Sequence, residues 1–158
     1  MSTHLEDIEQ DEVCELSCNL DDMTPEQLGF ALERLLEGGA LDAYTIPIGM
    51  KKSRPGVMLR VICRPQQKGE MVAILFRYTT TLGIRETLCR RFLLHRQITA
   101  IETPWGTVRR KDAYGCGISR YKYEYEDLAR IARGLGCSIQ QVLEQVERFA
   151  SQTHRQEL

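Results

Sequence analysis

The chain has 158 residues, of which 42% are hydrophobic and 27% charged, and its formal net charge is −1. These values are typical of a soluble globular chain with enough apolar residues for a core. No run approaches the ~20 apolar residues of a membrane span, and the first twelve residues lack the basic and apolar regions of a secretory signal. We therefore expect a cytoplasmic protein with no membrane partner.

Residues 1–12 are acidic and aperiodic, and we interpret them as a disordered lead-in. The first predicted strand is Val13–Leu20, in which Cys14, Leu16, Cys18 and Leu20 share one apolar face. Residues four apart on a strand are separated by roughly 13 Å, too far for one metal ion. The two cysteines are therefore predicted to be core thiols.

A capping box formed by Thr24 and Gln27, with Pro25 in the first turn, predicts a helix that ends at Gly38. Further elements are predicted by their apolar periodicity; they are a strand over 41–50 with an edge-favouring Pro47, a basic loop over 51–56, a strand over 57–63, a helix reaching Tyr78 and a strand over about 84–94. The order β-α-β-β-α-β predicts an α+β, ferredoxin-like sandwich over residues 13–95.

Residues 96–150 are predicted to form a small second subdomain. Strands over 98–102 and 107–113 flank the turn Pro104-Trp105-Gly106, and a flexible loop is expected over 114–119. Two helices follow, over about 125–134 and from Ser138, where Gln141 completes a second capping box. Residues 151–158 are predicted to be a frayed tail.

The segment Thr79–Arg85 places three hydroxyl side chains, a glycine and an arginine in succession. Such a segment is either a polar turn or an anion cradle, because hydroxyls and guanidinium groups both bind phosphate oxygens. In a ferredoxin-like sandwich the loop carrying Lys51, Lys52 and Arg54 can lie near the same end of the sheet, which favours the cradle.

Two further groups of residues leave alternatives open. Asp21 and Asp22 precede the first helix, where carboxylates either bind Mg²⁺ or Mn²⁺ or serve the turn and the helix dipole. Tyr121, Tyr123 and Tyr125 alternate with polar residues and either stack a base or pack a strand or helix start. Neither a Walker A nor a dinucleotide fingerprint is present.

Several motifs together resemble the C-terminal domain of the LarC-type nickel insertase family, which makes the nickel-pincer nucleotide cofactor. They are Asn19–Glu26 (NLDDMTPE), Pro47–Gly56 (PIGMKKSRPG), Thr79–Arg85 (TTTLGIR), Gly106–Lys111 (GTVRRK) and Tyr123–Asp127 (YEYED). The resemblance covers residues 13 to about 147 in order, without the family's N-terminal domain.

The resemblance implies a CTP-dependent cyclometallase of the lyase class. Nickel is inserted into pyridinium-3,5-bisthiocarboxylic acid mononucleotide while CTP, bound with Mg²⁺ or Mn²⁺, is cleaved to CMP and pyrophosphate. The residues it implies for the triphosphate are Lys51, Lys52, Arg54, Thr79, Thr80, Thr81 and Arg85. Those it implies for the base or ribose are Tyr123, Glu124 and Tyr125, and those for the metal are Asp21 and Asp22.

The family also suggests a homo-oligomer whose full activity needs the N-terminal domain. An alternative is a non-enzymatic, ferredoxin-like regulatory module that binds a small anionic metabolite. An RNA-binding module ranks last, since the strand over 57–63 has no aromatic residue for stacking bases, and no nucleic-acid partner is expected.

Overall fold

The structure is a computed structural model that describes residues 7–156. The chain divides into two compact units. We call Gln10–Phe92 the sandwich unit, and residues 93–156 together with residues 7–9 the three-stranded unit. No helix in the described part of the chain is both long and apolar enough to cross a membrane.

The sandwich unit has the predicted ferredoxin-like order. Its elements are β1 (Glu9–Leu20), α1 (Pro25–Glu37), β2 (Asp42–Met50), β3 (Arg54–Cys63), α2 (Lys68–Tyr78) and β4 (Arg85–Leu93). The strand order is β2-β3-β1-β4, with β3 antiparallel to both β1 and β2. Pro47 lies in the edge strand β2, as predicted, where a missing N–H disturbs no ladder on its outer side.

The core of the sandwich unit lies between the sheet and the two helices. The strands contribute the buried faces of β1 and β3, and the helices contribute Leu35, Met71 and Leu75, all fully buried. Each such side chain contributes about 1.5–3 kcal/mol by leaving water. This packing fixes which face of each strand is turned toward the helices.

The cysteines of β1 are core thiols, as predicted. Cys14 and Cys18 are fully buried, and burial raises the pKa of both thiols. Cys63 opposite Cys14 has its pKa raised to about 11, also mainly by burial. All three therefore stay protonated at neutral pH.

The predicted capping box starts α1. The Thr24 backbone N–H donates to Gln27 Oε1 at 2.9 Å, and the Gln27 N–H donates to Thr24 Oγ1 at 3.3 Å. The helix ends where the Gly38 N–H donates to the Arg34 carbonyl oxygen. Local sequence signals alone therefore fix both ends of this helix.

Strand β1 starts earlier than predicted, at Glu9 instead of Val13. Residues 9–12 carry no apolar alternation, but Asp11 makes two hydrogen bonds to Arg91 of β4, at 2.9 and 2.6 Å. The ion pair with β4 therefore extends β1 over residues 9–12, which apolar periodicity does not identify as a strand. The predicted lead-in is thus shorter than residues 1–12, and its residues 1–6 lie outside the described residues.

The three-stranded unit consists of a meander and two helices. Its elements are β5 (His95–Thr103), β6 (Gly106–Gly115), β7 (Ile118–Tyr123), α3 (Tyr125–Leu135) and α4 (Ile139–Gln156). Strands β5, β6 and β7 pair in that order, all antiparallel. Helix α4 continues beyond the predicted start of the frayed tail at residue 151, and residues 157–158 lie outside the described part.

The loop predicted as flexible over 114–119 is instead a tight hairpin. Cys116 and Gly117 form a two-residue turn between β6 and β7, with φ of 49° and 70°. Two successive left-handed residues match the twist of a two-residue hairpin. Cysteine rarely takes this conformation, so the sequence alone did not indicate the turn.

A buried carboxylate joins β6 to α3. Asp127 accepts hydrogen bonds from the Arg109 backbone N–H at 2.9 Å and from its guanidinium at 2.8 and 3.1 Å. These bonds hold the pKa of Asp127 below its ordinary value of 3.8. Arg109 thereby ties the hairpin to a core that includes Val108, Leu128 and Val146.

We expect Asp127→Ala to lower the free energy of unfolding by about 2 kcal/mol, because three hydrogen bonds to a charged acceptor are lost. A lowered folded-state pKa stabilises the fold above the ordinary carboxyl pKa and ceases to do so as the pH falls through the folded-state value. The gap between wild type and variant should therefore close below about pH 4 in denaturant unfolding.

The control for this variant is Glu126→Ala, since Glu126 lies in the same helical turn but is exposed. It should cost less than about 1 kcal/mol through the helix dipole alone. Equal losses for the two variants, or a gap that persists at acid pH, would contradict the role assigned to Asp127.

Candidate functional site

Three segments of the sandwich unit meet at one end of its sheet, and we call this place the corner. They are the end of β1 with the residues after it (Asn19–Asp22), the turn between β2 and β3 (Lys51–Arg54) and the segment between α2 and β4 (Thr79–Arg85). Strand order explains the meeting, because β1 lies between β3 and β4. Arg54 and Thr80 thus contact two successive residues that follow β1, Asp21 and Asp22.

Each of the three segments is tied to the corner by a direct contact. Arg85 Nη2 donates to Asn19 Oδ1 at 2.7 Å, and Thr80 Oγ1 donates to Asp22 Oδ1 at 2.5 Å. Arg54 Nη1 lies 3.3 Å from Asp21 Oδ2. Two arginines, a hydroxyl and two carboxylates thus converge from segments up to 66 residues apart in sequence.

The remaining hydroxyls of the threonine run shape the segment itself. Thr79 Oγ1 donates to the Leu75 carbonyl at 2.7 Å and so closes the last turn of α2. Thr81 Oγ1 donates to the Gly83 carbonyl at 2.8 Å and accepts from the Gly83 N–H at 3.3 Å. The run is therefore a hydrogen-bonded turn that places Thr80 and Arg85 at the corner, and its role as an anion cradle stays a prediction.

The corner is also coupled to the core through Cys18. Burial raises the pKa of this thiol, while a hydrogen bond with the Thr81 side chain and the charge of Arg85 act in the opposite direction. Core packing of β1 therefore positions Cys18, which contacts Thr81, and Asn19, which contacts Arg85.

Lys51 and Lys52 belong to the turn segment of the corner, and their side chains are exposed. They are exposed in a short 3-10 turn over Lys51–Ser53, and within residues 7–156 neither ammonium group has a hydrogen bond or ion pair. Lys52 and Ser53 have φ of 62° and 57°, in the left-handed region that non-glycine residues rarely adopt. Such strain is found preferentially where a turn must present particular side chains.

The carboxylates of Asp21 and Asp22 fit a cation that arrives with a ligand better than a resident metal. The described residues contain no group of three or more His, Cys, Asp or Glu side chains that could enclose an ion. Mg²⁺ bound with a nucleotide usually takes one or two carboxylates, with phosphates and water as its other ligands. Two adjacent carboxylates beside Arg54 and Thr80 meet that requirement.

The residues predicted to contact the base or ribose belong to the three-stranded unit. Tyr123 ends β7 and is only 6% exposed, and burial raises its pKa. Glu124 is paired with Lys111 at 2.5 Å, while the Tyr125 side chain at the start of α3 is exposed. Tyr123 thus serves packing, and base contact by these three residues stays a prediction.

Sequence reasoning missed a cleft of about 520 Å³ beside Thr79 and Thr80. Its other lining residues are Met23, Glu26, Gln27, Phe30, Arg77 and Tyr78. Phe30 lies away from the face of α1 that packs Leu28, Ala31 and Leu35 inward, and it is 50% exposed. Phe30, an aromatic residue away from that face, is the sequence signal for this cleft. Tyr78 lies next to Phe30 only because α1 packs beside α2.

Residues 1–143 match the family model described as nickel insertion protein. A pyridinium-3,5-bisthiocarboxylic acid mononucleotide nickel insertion protein of Acetivibrio thermocellus is 40% identical over 138 residues, covering 87% of this chain and 34% of the relative. The protein of the same name from Alkaliphilus metalliredigens is 43% identical over 145 residues, covering 92% and 34%. The chain thus spans about a third of the length of these relatives.

Solved structures give the same picture. The C-terminal domain of a cyclometallase involved in the synthesis of the NPN cofactor of lactate racemase, in its apo form, has a TM-score of 0.79 and 34% identity, covering 85% of this chain and 93% of that one. A Methanopyrus kandleri protein, at 21% identity, a TM-score of 0.64 and coverage of 84% and 85%, shares the fold.

We expect Ser53→Gly to raise the free energy of unfolding by about 0.5–1 kcal/mol, because glycine relieves a left-handed conformation that costs other residues about 1–2 kcal/mol. Lys51→Gly is the control, as Lys51 is not among the residues with positive φ and gains no relief. Chemical denaturation measures both. A loss of stability for Ser53→Gly as large as that for Lys51→Gly would show that the turn is unstrained.

Proposed function

Because the chain belongs to the nickel insertion protein family, we propose that it is the CTP-binding C-terminal part of an enzyme that inserts nickel into pyridinium-3,5-bisthiocarboxylic acid mononucleotide. In this proposal CTP is cleaved to CMP and pyrophosphate, and nickel is a substrate of the reaction. The names of the two curated relatives and of the structural neighbour support the nickel chemistry. The convergence of Arg54, Arg85, Thr80 and two carboxylates supports nucleotide binding at the corner.

Arg54 suits a triphosphate because its present contact with Asp21 is weak enough to be exchanged. The Arg54 side chain is 61% exposed, and a single contact of 3.3 Å holds it to Asp21. An exposed ion pair of this kind is worth about 0–1 kcal/mol. Arg–phosphate pairs are commonly bidentate and stronger, so a triphosphate would displace Asp21 from Arg54.

That exchange prepares the carboxylates for a divalent cation. Once Arg54 turns to phosphate, Asp21 has free oxygen ligands beside those of Asp22. Asp21 and Asp22 would hold a Mg²⁺ or Mn²⁺ ion that arrives with the nucleotide, and the chemistry that this ion would supply is neutralisation of phosphate charge. The chain's own contribution is to orient the triphosphate with Arg54 and Arg85 and to present acidic oxygens on one side of it.

The lysines and the other threonines complete the proposed triphosphate set. Lys51 and Lys52 carry flexible ammonium groups that can reach a ligand at the corner, and they act as point charges where arginine acts as a fork. Thr79 and Thr81 hold the segment that presents Thr80. Insertion of nickel is proposed to need the remaining two thirds of the family's length, in a cytoplasmic homo-oligomer.

We expect Arg85→Ala and Arg54→Ala each to weaken Mg²⁺-dependent CTP binding about tenfold or more, because a charge-assisted hydrogen bond to phosphate is lost. Calorimetric titration with CTP, ATP and GTP measures the affinity and the preference. Arg90→Ala is the control, as Arg90 is exposed on the same strand and points to the opposite face from Arg85.

Wild-type binding without preference for CTP, and with no release of pyrophosphate, would favour the regulatory anion-binding module. Unchanged CTP affinity in both arginine variants would rule out the corner as the triphosphate site.

Asp21→Asn should separate the two proposed roles of this carboxylate. CTP binding without metal should tighten, because Arg54 loses its competing partner, while the enhancement by Mn²⁺ should fall about tenfold. Titrations with and without Mn²⁺ measure both, and Glu33→Gln, an exposed acid on α1, controls for net charge. Full retention of the Mn²⁺ enhancement would remove Asp21 from the metal site.

A further inference from the structure

A second cleft, of about 470 Å³, lies in the three-stranded unit between the meander and residues 147–151 of α4. We call it the meander cleft. The residues that give it its chemistry are two tyrosines, an arginine and two carboxylates, namely Tyr121, Tyr123, Arg110, Glu102 and Glu147. We propose that the meander cleft binds a flat aromatic cation, the pyridinium ring of the mononucleotide substrate. The choice of that ligand rests on the proposed function.

The register of the meander builds this cleft onto the core of its unit. Arg110 lies two residues after the buried Val108 on β6 and therefore on the same face of the sheet. Thr99 on β5 and Tyr123 on β7 lie opposite Arg110. Val146 of α4 packs in the core that contains Val108. The meander cleft thus continues this core along one face of the sheet, with polar residues in place of apolar ones.

Tyr121 provides an aromatic surface in the meander cleft. Its side chain is 57% exposed, although the Arg110 guanidinium carbon lies 5.3 Å from the centre of its ring. The ring of Tyr123 lies 5.8 Å away at 75°, an edge-to-face contact that orients Tyr121. A guanidinium group is itself a flat, delocalised cation. The contact with Arg110 therefore shows that the ring of Tyr121 accepts a cation of this shape.

The unpaired charge in the meander cleft is negative. Among the side chains that the structure describes, none makes a hydrogen bond or an ion pair with the Glu147 carboxylate. Burial, and to a smaller extent the charge of Glu147, raises the pKa of Tyr123, so this carboxylate lies near the tyrosine pair. Arg110 is already paired, because its Nε lies 2.9 Å from Asp112 Oδ1. A cation would therefore find an opposite charge here without displacing an existing ion pair.

A pyridinium ring combines the two properties that the cleft calls for, a flat face and a delocalised positive charge. Its quaternary nitrogen has no N–H, so it is recognised through charge and ring contact, as other quaternary ammonium ligands are. Tyr121 would supply the ring contact and Glu147 the charge. The substrate in the names of the two curated relatives carries such a ring, with two thiocarboxylate groups. Arg110 has N–H groups besides Nε that could donate to one of these anionic groups.

The test compares two probes that lack phosphate, so that affinity for the proposed triphosphate site does not enter. N-methylpyridinium-3,5-dicarboxylate has the charged ring, and pyridine-3,5-dicarboxylate has the same two carboxylates on a ring that is uncharged at neutral pH. We expect the chain to bind the pyridinium probe about fivefold more tightly or better, because only that probe is attracted by Tyr121 and Glu147. NMR titration measures both affinities.

Variants assign the preference to the meander cleft. Tyr121→Leu and Glu147→Gln should each lower the affinity ratio to less than about twofold, whereas Tyr121→Phe keeps the ring and should retain the ratio. Both positions are exposed, and thermal unfolding verifies the fold of each variant. Tyr125→Leu and Glu144→Gln are the matched controls, since both residues are exposed and neither lines the meander cleft.

Equal affinity of the wild type for the two probes would overturn this inference. A ratio that survives in Tyr121→Leu and Glu147→Gln, or that falls as far in the two controls, would also overturn it. CTP titration of the same samples tests the proposed function separately. CTP binding with no preference between the probes removes only the meander cleft as a pyridinium site, whereas the preference without CTP binding removes only the proposed function.

Discussion

The alternation of side chains along β1 is the constraint on which the corner depends. Leu16, Cys18 and Leu20 are buried against the helices, so Glu15, Ser17 and Asn19 must point to the other face of the sheet. A slip of one residue would bury Glu15 and Asn19 and separate Asn19 from Arg85. The apolar residues of β1 therefore set the position of Asn19 and of the two aspartates that follow it. The same twelve-residue strand therefore supplies side chains to the core and positions the residues of the corner.

The ion pair between Arg54 and Asp21 is the contact that the proposed nucleotide and cation would exchange. Arg85 contacts the neutral Asn19 amide and Asp22 contacts the Thr80 hydroxyl, so these two charges face no opposite charge in those contacts. A polyanion alone would take the arginine and leave a carboxylate beside phosphate, and a cation alone would take the carboxylate and leave the arginine without its partner. In the proposed function, binding of the two together gives both Arg54 and Asp21 an oppositely charged partner, so each ligand should increase the affinity for the other, and this coupling is necessarily reciprocal.

Local patterns in the sequence were enough to predict most of the helices and strands. The features that they did not predict depend on contacts between residues far apart in the sequence. The capping box at Thr24 and the alternation of β1 act over a few residues, and both are present as predicted. The extension of β1 to Glu9 depends on partners about 80 residues away in sequence, which no periodicity encodes. Likewise, the sequence motifs indicated the corner, whereas the cleft of Phe30 and Tyr78 exists only because α1 and α2 pack side by side. The contacts that hold Thr80 and Arg85 are of the same long-range kind.

The protonated state of the core cysteines has a consequence for the metal that this family handles. Nickel binds thiolates readily, and the thiolate, not the thiol, is the metal ligand. Cys14, Cys18 and Cys63 are buried, and their pKa values are raised. Their sulfur atoms are therefore poor ligands for a nickel ion. In the proposed reaction, these three buried thiols would leave the nickel ion available to the sulfur of the substrate.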